Sequence, residues 1–539
     1  MVLNVLLTLV GGLGIFLYGM DNMSSGMRKI AGPKLKQVLA TLTSNRFTAI
    51  AVGLIITAFV QSSSVSTVMA IGFINASLLT LEQGLGIILG ANIGTTITGW
   101  ILALKLGAFG LPIVGIAAIF YIFSKKEKNK ILAMTMMGFG FIFFGLQLMG
   151  EGLKPLANME EFKQIFTYFR ADTYFGVLKA ALVGALLTAV VQSSSATLGI
   201  TIQLASVGLI DYPTAVALVL GENVGTTITA IIASLNASAN SKRAAYAHSL
   251  INIIGVLWAT TFFRPYLNIL EKFTNPILNI TASIAVAHTL FNVFNVILFT
   301  PFINFLANFL RKIVKDKTES SRITQLNPLM LKIPAVVIEQ TRAEIVVMYD
   351  KINFIFTTLE NTYIGNSQIE NEFDKLLQIE NDLDTYEKEI TDINFELLQK
   401  EILASLVKET RENLIVTDEY ETISDYLVRI ANSTRKLKEE SLELTDNQKN
   451  TLLLINQMVH KLFNKVHKAY YNKEKGLFLS AVKNYEEIKF AYKEAKTEHF
   501  SIEHENIPSK LSSEYSELLN HYRRAGDHVY NIVEHFTQI

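Results

Sequence analysis

The chain of 539 residues carries 48 lysines and arginines against 48 aspartates and glutamates, so its formal net charge is zero and nothing argues electrostatically for a nucleic-acid partner. Half of its residues are hydrophobic and its mean hydropathy is +0.32. Most of the charge lies after Arg311, which divides the chain into a membrane-embedded and a water-soluble part. With no cysteine, disulfides, thiolate metal sites and cysteine nucleophiles are all excluded.

In chain order, runs apolar and long enough to cross a bilayer, which takes about 20 residues, occur at 2–20, 83–106, 107–123, 131–149, 212–234, 245–263 and 283–310. The first lacks a basic start and a small-residue cleavage site, and is expected to be a retained helix rather than a signal peptide. Two further apolar stretches, 47–77 and 174–209, are cut in the middle by one tetrad, Gln61-Ser62-Ser63-Ser64 and Gln192-Ser193-Ser194-Ser195. A single helix of such length would measure about 46 Å against a hydrocarbon core of about 30 Å. Each stretch is therefore expected to be a re-entrant hairpin with the tetrad at its tip.

The tetrads belong to a larger repeat. Residues 57–100 laid on 188–231 without a gap match at 17 of 44 positions, and 12–19 aligns upstream with 138–145. Each tetrad is followed by an asparagine in a glycine/threonine motif, Gly90-Ala91-Asn92-Ile93-Gly94-Thr95-Thr96 and Gly221-Glu222-Asn223-Val224-Gly225-Thr226-Thr227. With the hairpins not counted as crossings, each copy holds three crossings, and an odd number inverts the second copy relative to the first. The same count gathers the basic loops 21–46, 124–130 and 240–244 and the region after Arg311 on one side, which the positive-inside bias makes cytoplasmic. Loops 151–173 and 264–282 fall on the other side.

The paired tetrads and Gly-x-Asn-x-Gly-Thr-Thr segments resemble the type II sodium/phosphate cotransporter family over roughly the first 310 residues. The resemblance implies sodium-coupled transport of inorganic phosphate, by alternating access, through two inverted repeats in the plasma (inner) membrane. The fold expected is all-α, a polytopic membrane protein with re-entrant hairpins followed by a soluble helical bundle. Its layout is membrane repeat 1 at 1–130, repeat 2 at 131–263, a further transmembrane helix within 264–310, a linker at 311–330 and a cytoplasmic helical domain at 331–539.

The side chains can be assigned roles on chemical grounds. Broken-helix N-termini offer free N–H groups to an anion, so phosphate is expected at Gln61, Ser62, Ser63, Ser64, Gln192, Ser193, Ser194 and Ser195. Sodium takes hard oxygen ligands, for which Asn92, Thr95, Thr96, Asn223, Thr226 and Thr227 are the candidates. Thr98 and Thr229, at the edge of the second motif, read as packing residues. No lysine or arginine lies in these motifs, so the anion's charge is left to co-bound cations and helix dipoles. Glu222, whose counterpart is Ala91, is a candidate coupling residue because an acid at membrane depth is costly; a protonated structural role stands against it. Small polar residues also pack membrane helices, but duplication at identical spacing favours a site. The echo Ala247-His248-Ser249-Leu250-Ile251-Asn252 and Ala287-His288-Thr289-Leu290-Phe291-Asn292 reads as helix contact, with a proton relay as the alternative.

Beyond residue 320, apolar residues such as Ile345, Met348, Ile352, Ile355 and Leu359 recur at helical spacing, the mark of an antiparallel bundle. The stretch Glu421 to Ala431 resembles the signature of PhoU-like domains, and Arg523 to Ile532 echoes it. That resemblance implies paired three-helix bundles, a link to phosphate regulation, and a divalent metal on acids such as Glu421 and Asp425. Thr422 and Arg523 depart from the signature, and acids on a solvated face are the plain alternative. The partners expected are inorganic phosphate, sodium ions and membrane lipid, with a second copy of the chain as a homodimer candidate. No nucleophile–base set appears, so an enzyme is not expected. The rival readings are a carrier of another anion, a proton-coupled carrier and a membrane-anchored phosphate sensor.

Overall fold

The computed structural model describes all residues except 1, 41–44, 76–78, 105, 236, 316–330, 332–333, 366–368, 401, 502–507 and 538–539. Its regular structure is helical, with no strand among the described residues. The chain divides into two units that part near residue 337. Most of the expected linker, 316–330, lies outside the described residues, while Arg311–Ile313 closes a helix.

In the first unit the repeats run α1 (Val2–Ala40), α2 (Arg46–Val60), α3 (Ser63–Asn75), α4 (Leu81–Gly94), α5 (Thr96–Ala103) and α6 (Gly107–Phe123), then α7 (Glu127–Ala157), α8 (Glu160–Thr167), α9 (Tyr174–Val191), α10 (Ser194–Ser206), α11 (Tyr212–Gly225), α12 (Thr227–Ser234) and α13 (Ala239–Thr261). A 90° bend leads from α13 into α14 (Phe263–Phe273). The unit ends with α15 (Ile280–Phe299), a short 3-10 turn at Thr300–Phe302 and α16 (Ile303–Ile313). Three expectations shift here. The loop expected at 21–46 is largely a continuation of α1, which reaches Ala40. The runs 83–106 and 212–234 are each interrupted at a threonine, Thr95 and Thr226. The run 283–310 is broken at Pro301, whose ring removes a helical N–H.

The hairpins are built as their sequence requires. Helix α2 is about 22 Å long at 1.5 Å per residue, too short to cross. Arg46, at its start, donates to the carbonyl of Thr300, and Asn75, at the end of α3, accepts from the backbone of Ser238, next to the Ser241 hydroxyl that donates to Ile71. Glu82 pairs with Arg311 at 2.7 Å. Both ends of the first hairpin thus lie at one end of the unit. At the other end Ala171, just before α9, donates to Thr214, Tyr212 donates to Ser283, and Thr281 donates to Ala103. The two hairpins enter from opposite ends. Helix α9 is long enough to span by itself, yet Thr188 near its tip packs on Gly225. That glycine is about 21 Å along the α11–α12 span, so α9 stops part-way.

Backbone contact explains why the repeats keep their glycines. A Cβ on Gly90 would collide with the carbonyl of Ile50, and one on Gly221 with that of Ala181, the same contact 131 residues apart. Between the repeats, α1 and α7 pack antiparallel, Gly12 on Gly145 and Gly19 on Gly138. Because 12 aligns with 138 and 19 with 145, each contact maps onto the other when the repeats exchange, which is the signature of a two-fold axis relating inverted copies.

The second unit holds α17 (Pro334–Ile364), α18 (Ile369–Leu398), α19 (Ala404–Glu439), α20 (Asp446–Asn472), α21 (Lys475–Ser501) and α22 (Ser509–Thr537). The expected stripe on α17 is fully buried, and all six helices share one apolar core. Helix α17 is tied to its neighbours by Asn394 Nδ2 to Thr341, Asn456 Nδ2 to the Phe356 carbonyl and Tyr522 to Tyr363.

If the glycine contacts set the hairpin packing, Gly90→Ala and Gly221→Ala force α2 from α4 and α9 from α11. Each should lower the melting temperature of the purified protein by roughly 5 °C or more. Gly11→Ala, where nothing lies within 4 Å, should leave it unchanged. Equal melting of all three would remove the close-packing argument.

Candidate ion and substrate site

Each tetrad forms the same corner. Gln61 (φ 56°, ψ 30°) and Gln192 (φ 56°, ψ 26°) stand in the left-handed region at the ends of α2 and α9, their N–H groups bonded to the carbonyls of Thr57 at 2.8 Å and Thr188 at 2.7 Å. Glycine or asparagine usually fills such a C-terminal position, and a longer side chain costs about 1 kcal/mol there. Two glutamines at equivalent corners therefore point to a need for the amide. The next serine caps the returning helix, Ser62 Oγ accepting from Val65 N at 3.3 Å and Ser193 Oγ from Ala196 N at 3.2 Å. Ser63, Ser64, Ser194 and Ser195 occupy first turns, where N–H groups lack intrahelical partners.

The copies differ in engagement. Gln61 is buried, Thr98 donates to its Oε1 at 3.0 Å, and its own amide donates to the Ala58 carbonyl. Gln192 is exposed, and Thr229 donates to the Thr226 carbonyl instead. Thr98, expected to be a packing residue, is thus a tetrad partner, while the Thr229 hydroxyl bonds the start of its own helix. No hydrogen bond joins the two tetrads among the described residues. The tips are instead crossed, α3 packing on α12 and α10 on α5.

The second motifs lie against these corners. Thr57 packs on Gly94 and Thr188 on Gly225. The hydroxyls of Thr96 and Thr227 donate to the carbonyls of Ile93 and Val224, and Thr226 donates to that of Glu222, all at 2.8 Å. Each hydroxyl oxygen keeps lone pairs for a cation. Thr95 is buried at the interruption, its N–H bonded to Ala91. Asn92 and Asn223 are each held from outside their motif: His248 Nε2 lies 3.3 Å from Asn92 Oδ1, and Asn292 Nδ2 donates to Asn223 Oδ1 at 3.1 Å.

Those outside partners come from the A-H-[ST]-L-x-N echo. Helix α13 packs on α3, α4 and α12, and α15 packs on α10, α11 and α5, the same partners with the repeats exchanged. Helix α15, within the segment expected as a further transmembrane helix, is therefore the counterpart of α13. A second echo marks the same duplication, Pro265-Tyr266-Leu267-Asn268 against Pro301-Phe302-Ile303-Asn304. Around these helices Thr57 Oγ1, Thr188 Oγ1, Asn92 Nδ2, His248 Nδ1, His288 Nδ1 and Asn292 Oδ1 are buried without a hydrogen-bond partner among the described residues. Such groups cost roughly 1–3 kcal/mol each when unmet, and their concentration here suits polar cargo. Glu222 is 2% exposed and accepts from Thr201 at 2.8 Å.

In the second unit Asp425 meets Glu380 and Asp384, with one carboxylate oxygen of each within 4.8 Å of the others, a set that could hold a divalent cation. Glu421 lies beside this trio rather than in it; burial and then the Asp425 charge push its carboxyl up to about 7. Glu380 and Asp384, both on α18, had no signal in the motif read on α19. The acid of the second echo, Asp527, is tied to Tyr485 at 2.8 Å and to Arg523 at 3.5 Å.

Comparison with known proteins agrees with this architecture. The family model described as Na+/Pi-cotransporter matches twice, at 15–151 and 144–282, and that of the PhoU domain matches 452–536. The chain is 29% identical over 259 residues to the uncharacterized protein YqeW of Bacillus subtilis, covering 48% of this chain and 83% of that one. It is 28% identical over 271 residues to the putative inorganic phosphate export protein YjbB of Salmonella typhimurium, 50% of this chain and 49% of the relative, so it spans about half the length of that protein. A segment of 101 residues is 38% identical to human sodium-dependent phosphate transport protein 2B, 18% of this chain and 15% of that one. No solved structure matches it. The protein therefore belongs to the Na+/Pi-cotransporter family, with two copies of the family unit joined to a PhoU domain.

Proposed function

We propose that the protein is a sodium-coupled transporter of inorganic phosphate that works by alternating access, with a cytoplasmic regulatory domain. The observation that carries this reading is the pair of crossed hairpin corners, which combine strained glutamines and helix N-termini with hydroxyl and amide oxygens, and whose motifs contain no lysine or arginine. Gln61 to Ser64 and Gln192 to Ser195 would hold phosphate; Asn92, Thr95, Thr96, Asn223, Thr226 and Thr227 would hold sodium. With no arginine to neutralise it, the anion binds well only with its cations, which couples the two. The buried Gln61 and exposed Gln192 suit a carrier with one half closed and the other open. A symporter is reversible, and an inward sodium gradient would carry phosphate inward. The name of the Salmonella relative makes outward flux the second reading, which vesicles preloaded with phosphate would decide.

Gln61→Ala and Gln192→Ala should each abolish sodium-dependent phosphate uptake into proteoliposomes while the protein stays folded. Normal uptake by both would sink the assignment.

The orientation proposed puts loops 124–130 and 240–244 in the cytoplasm of a cell's inner membrane. In this cysteine-free chain, Lys128→Cys and Lys242→Cys should resist an impermeant thiol reagent in intact cells, and Tyr168→Cys should react. Uniform labelling would contradict that orientation.

Regulation is proposed to act through a divalent cation at Glu380, Asp384 and Asp425. Burial and mutual repulsion raise the carboxyls of Glu380, Asp384 and Glu421. A raised folded-state value stabilises the protein at low pH, and this is lost as pH climbs through about 7. Thermal stability of the full-length protein should fall between about pH 5 and 8, manganese should restore it at the upper end, and Asp425→Asn should lose the rescue. An Asp425→Asn protein rescued as well as wild type would exclude the site.

A further inference from the structure

Glu222 is where the repeats part company, and it does not do so alone. Its hydroxyl partner Thr201 lies on α10, and both side chains are 2% exposed. At the equivalent positions of repeat 1, 131 residues earlier, stand Ala70 and Ala91, both fully buried on α3 and α4. These helices pack as their counterparts do, α3 on α4 and α10 on α11, so the two environments share one backbone frame. Within that frame an acid and a hydroxyl together replace two methyl groups, which marks the pair as a unit.

Burying a carboxylate costs several kcal/mol unless a partner compensates. Among the described residues no lysine or arginine is paired with Glu222, and its side-chain hydrogen bond comes from Thr201. That O–H donates to Oε1, which leaves Oε2 and a lone pair on the threonine oxygen, hard donors suited to an alkali cation. The neighbouring residue, Asn223, has its carbonyl held by Asn292, and the Thr226 hydroxyl is fixed on the Glu222 backbone. Carboxyl and hydroxyl oxygens thus adjoin the repeat-2 motif where the equivalent pair of repeat 1 offers two methyl groups.

We propose that Glu222 and Thr201 form a sodium site present in repeat 2 alone, adding one cation to those shared by the two repeats. The inference rests on sodium-coupled phosphate transport. It makes the cycle asymmetric, because the second half takes a sodium that the first half has no matching oxygens to hold.

The test uses the full-length protein in proteoliposomes, with sodium and phosphate fluxes measured together by radiotracers. The Thr201→Ala/Glu222→Ala double variant installs the repeat-1 pair and should move one sodium fewer per phosphate in the uptake that remains. Glu222→Gln keeps the shape without the charge. In detergent its sodium-induced thermal shift should need roughly tenfold more sodium or more than wild type, a readout independent of transport. An active double variant with the wild-type flux ratio would overturn the proposal, as would a Glu222→Gln protein with an unchanged sodium shift. Loss of a proton-driven component at a constant sodium ratio would also overturn it, in favour of proton coupling. Wild-type uptake indifferent to sodium would remove the transport reading instead, and a sodium shift that depends on Glu222 would still stand for the site.

Discussion

A bilayer does not hydrate peptide groups, so backbone that leaves the helix at membrane depth must be enclosed by protein or line a wet cavity. The rest of this membrane unit follows from meeting that demand twice. The chain leaves the helix at Gln61, which other helices bury, and at Gln192, which stays exposed. Gly94 against Thr57 and Gly225 against Thr188 bring the second motifs up to these corners, and the interruptions at Thr95 and Thr226 follow at the next residue. The glycines that pack on the corners consequently belong to the second motifs themselves.

Duplication supplies the geometry and divergence breaks its symmetry. The antiparallel α1–α7 contact sets one copy upside down, so chemically equal corners face opposite ends of the unit. Helices α13 and α15 then close on the two copies in exchanged fashion, one presenting His248 to Asn92 and the other Asn292 to Asn223. Small differences break the equality: Thr98 engages Gln61 where Thr229 leaves Gln192 alone, and Glu222 with Thr201 stands where repeat 1 has alanines. The two repeats thus share a symmetric frame with unequal contents.

Much of this was legible because the signals were interruptions. Tetrads in the middle of apolar runs told of hairpins, an odd crossing count told of inversion, and the spacing of Ile345, Met348, Ile352, Ile355 and Leu359 told of the buried face of α17. What stayed hidden depends on contacts between segments far apart in the chain. Thr98 and Thr229 are equivalent in sequence and differ only in what meets them. The role of α15 rested on a six-residue echo, too short to separate from chance without the packing. Glu380 and Asp384 lie on a helix that carries no motif and join Asp425 only when the bundle folds. The polar residues after Met20 suggest a loop, but leaving the membrane does not require leaving the helix, and α1 runs on to Ala40.

The central claim is that one set of corners holds phosphate and sodium together, and equilibrium binding addresses it without assuming any direction of transport. Binding of labelled phosphate to the purified full-length protein would be measured across sodium concentrations, and labelled sodium across phosphate concentrations. The account predicts that sodium raises phosphate affinity and that phosphate raises sodium affinity by the same factor, as linkage demands. Phosphate binding of equal affinity with and without sodium would contradict it.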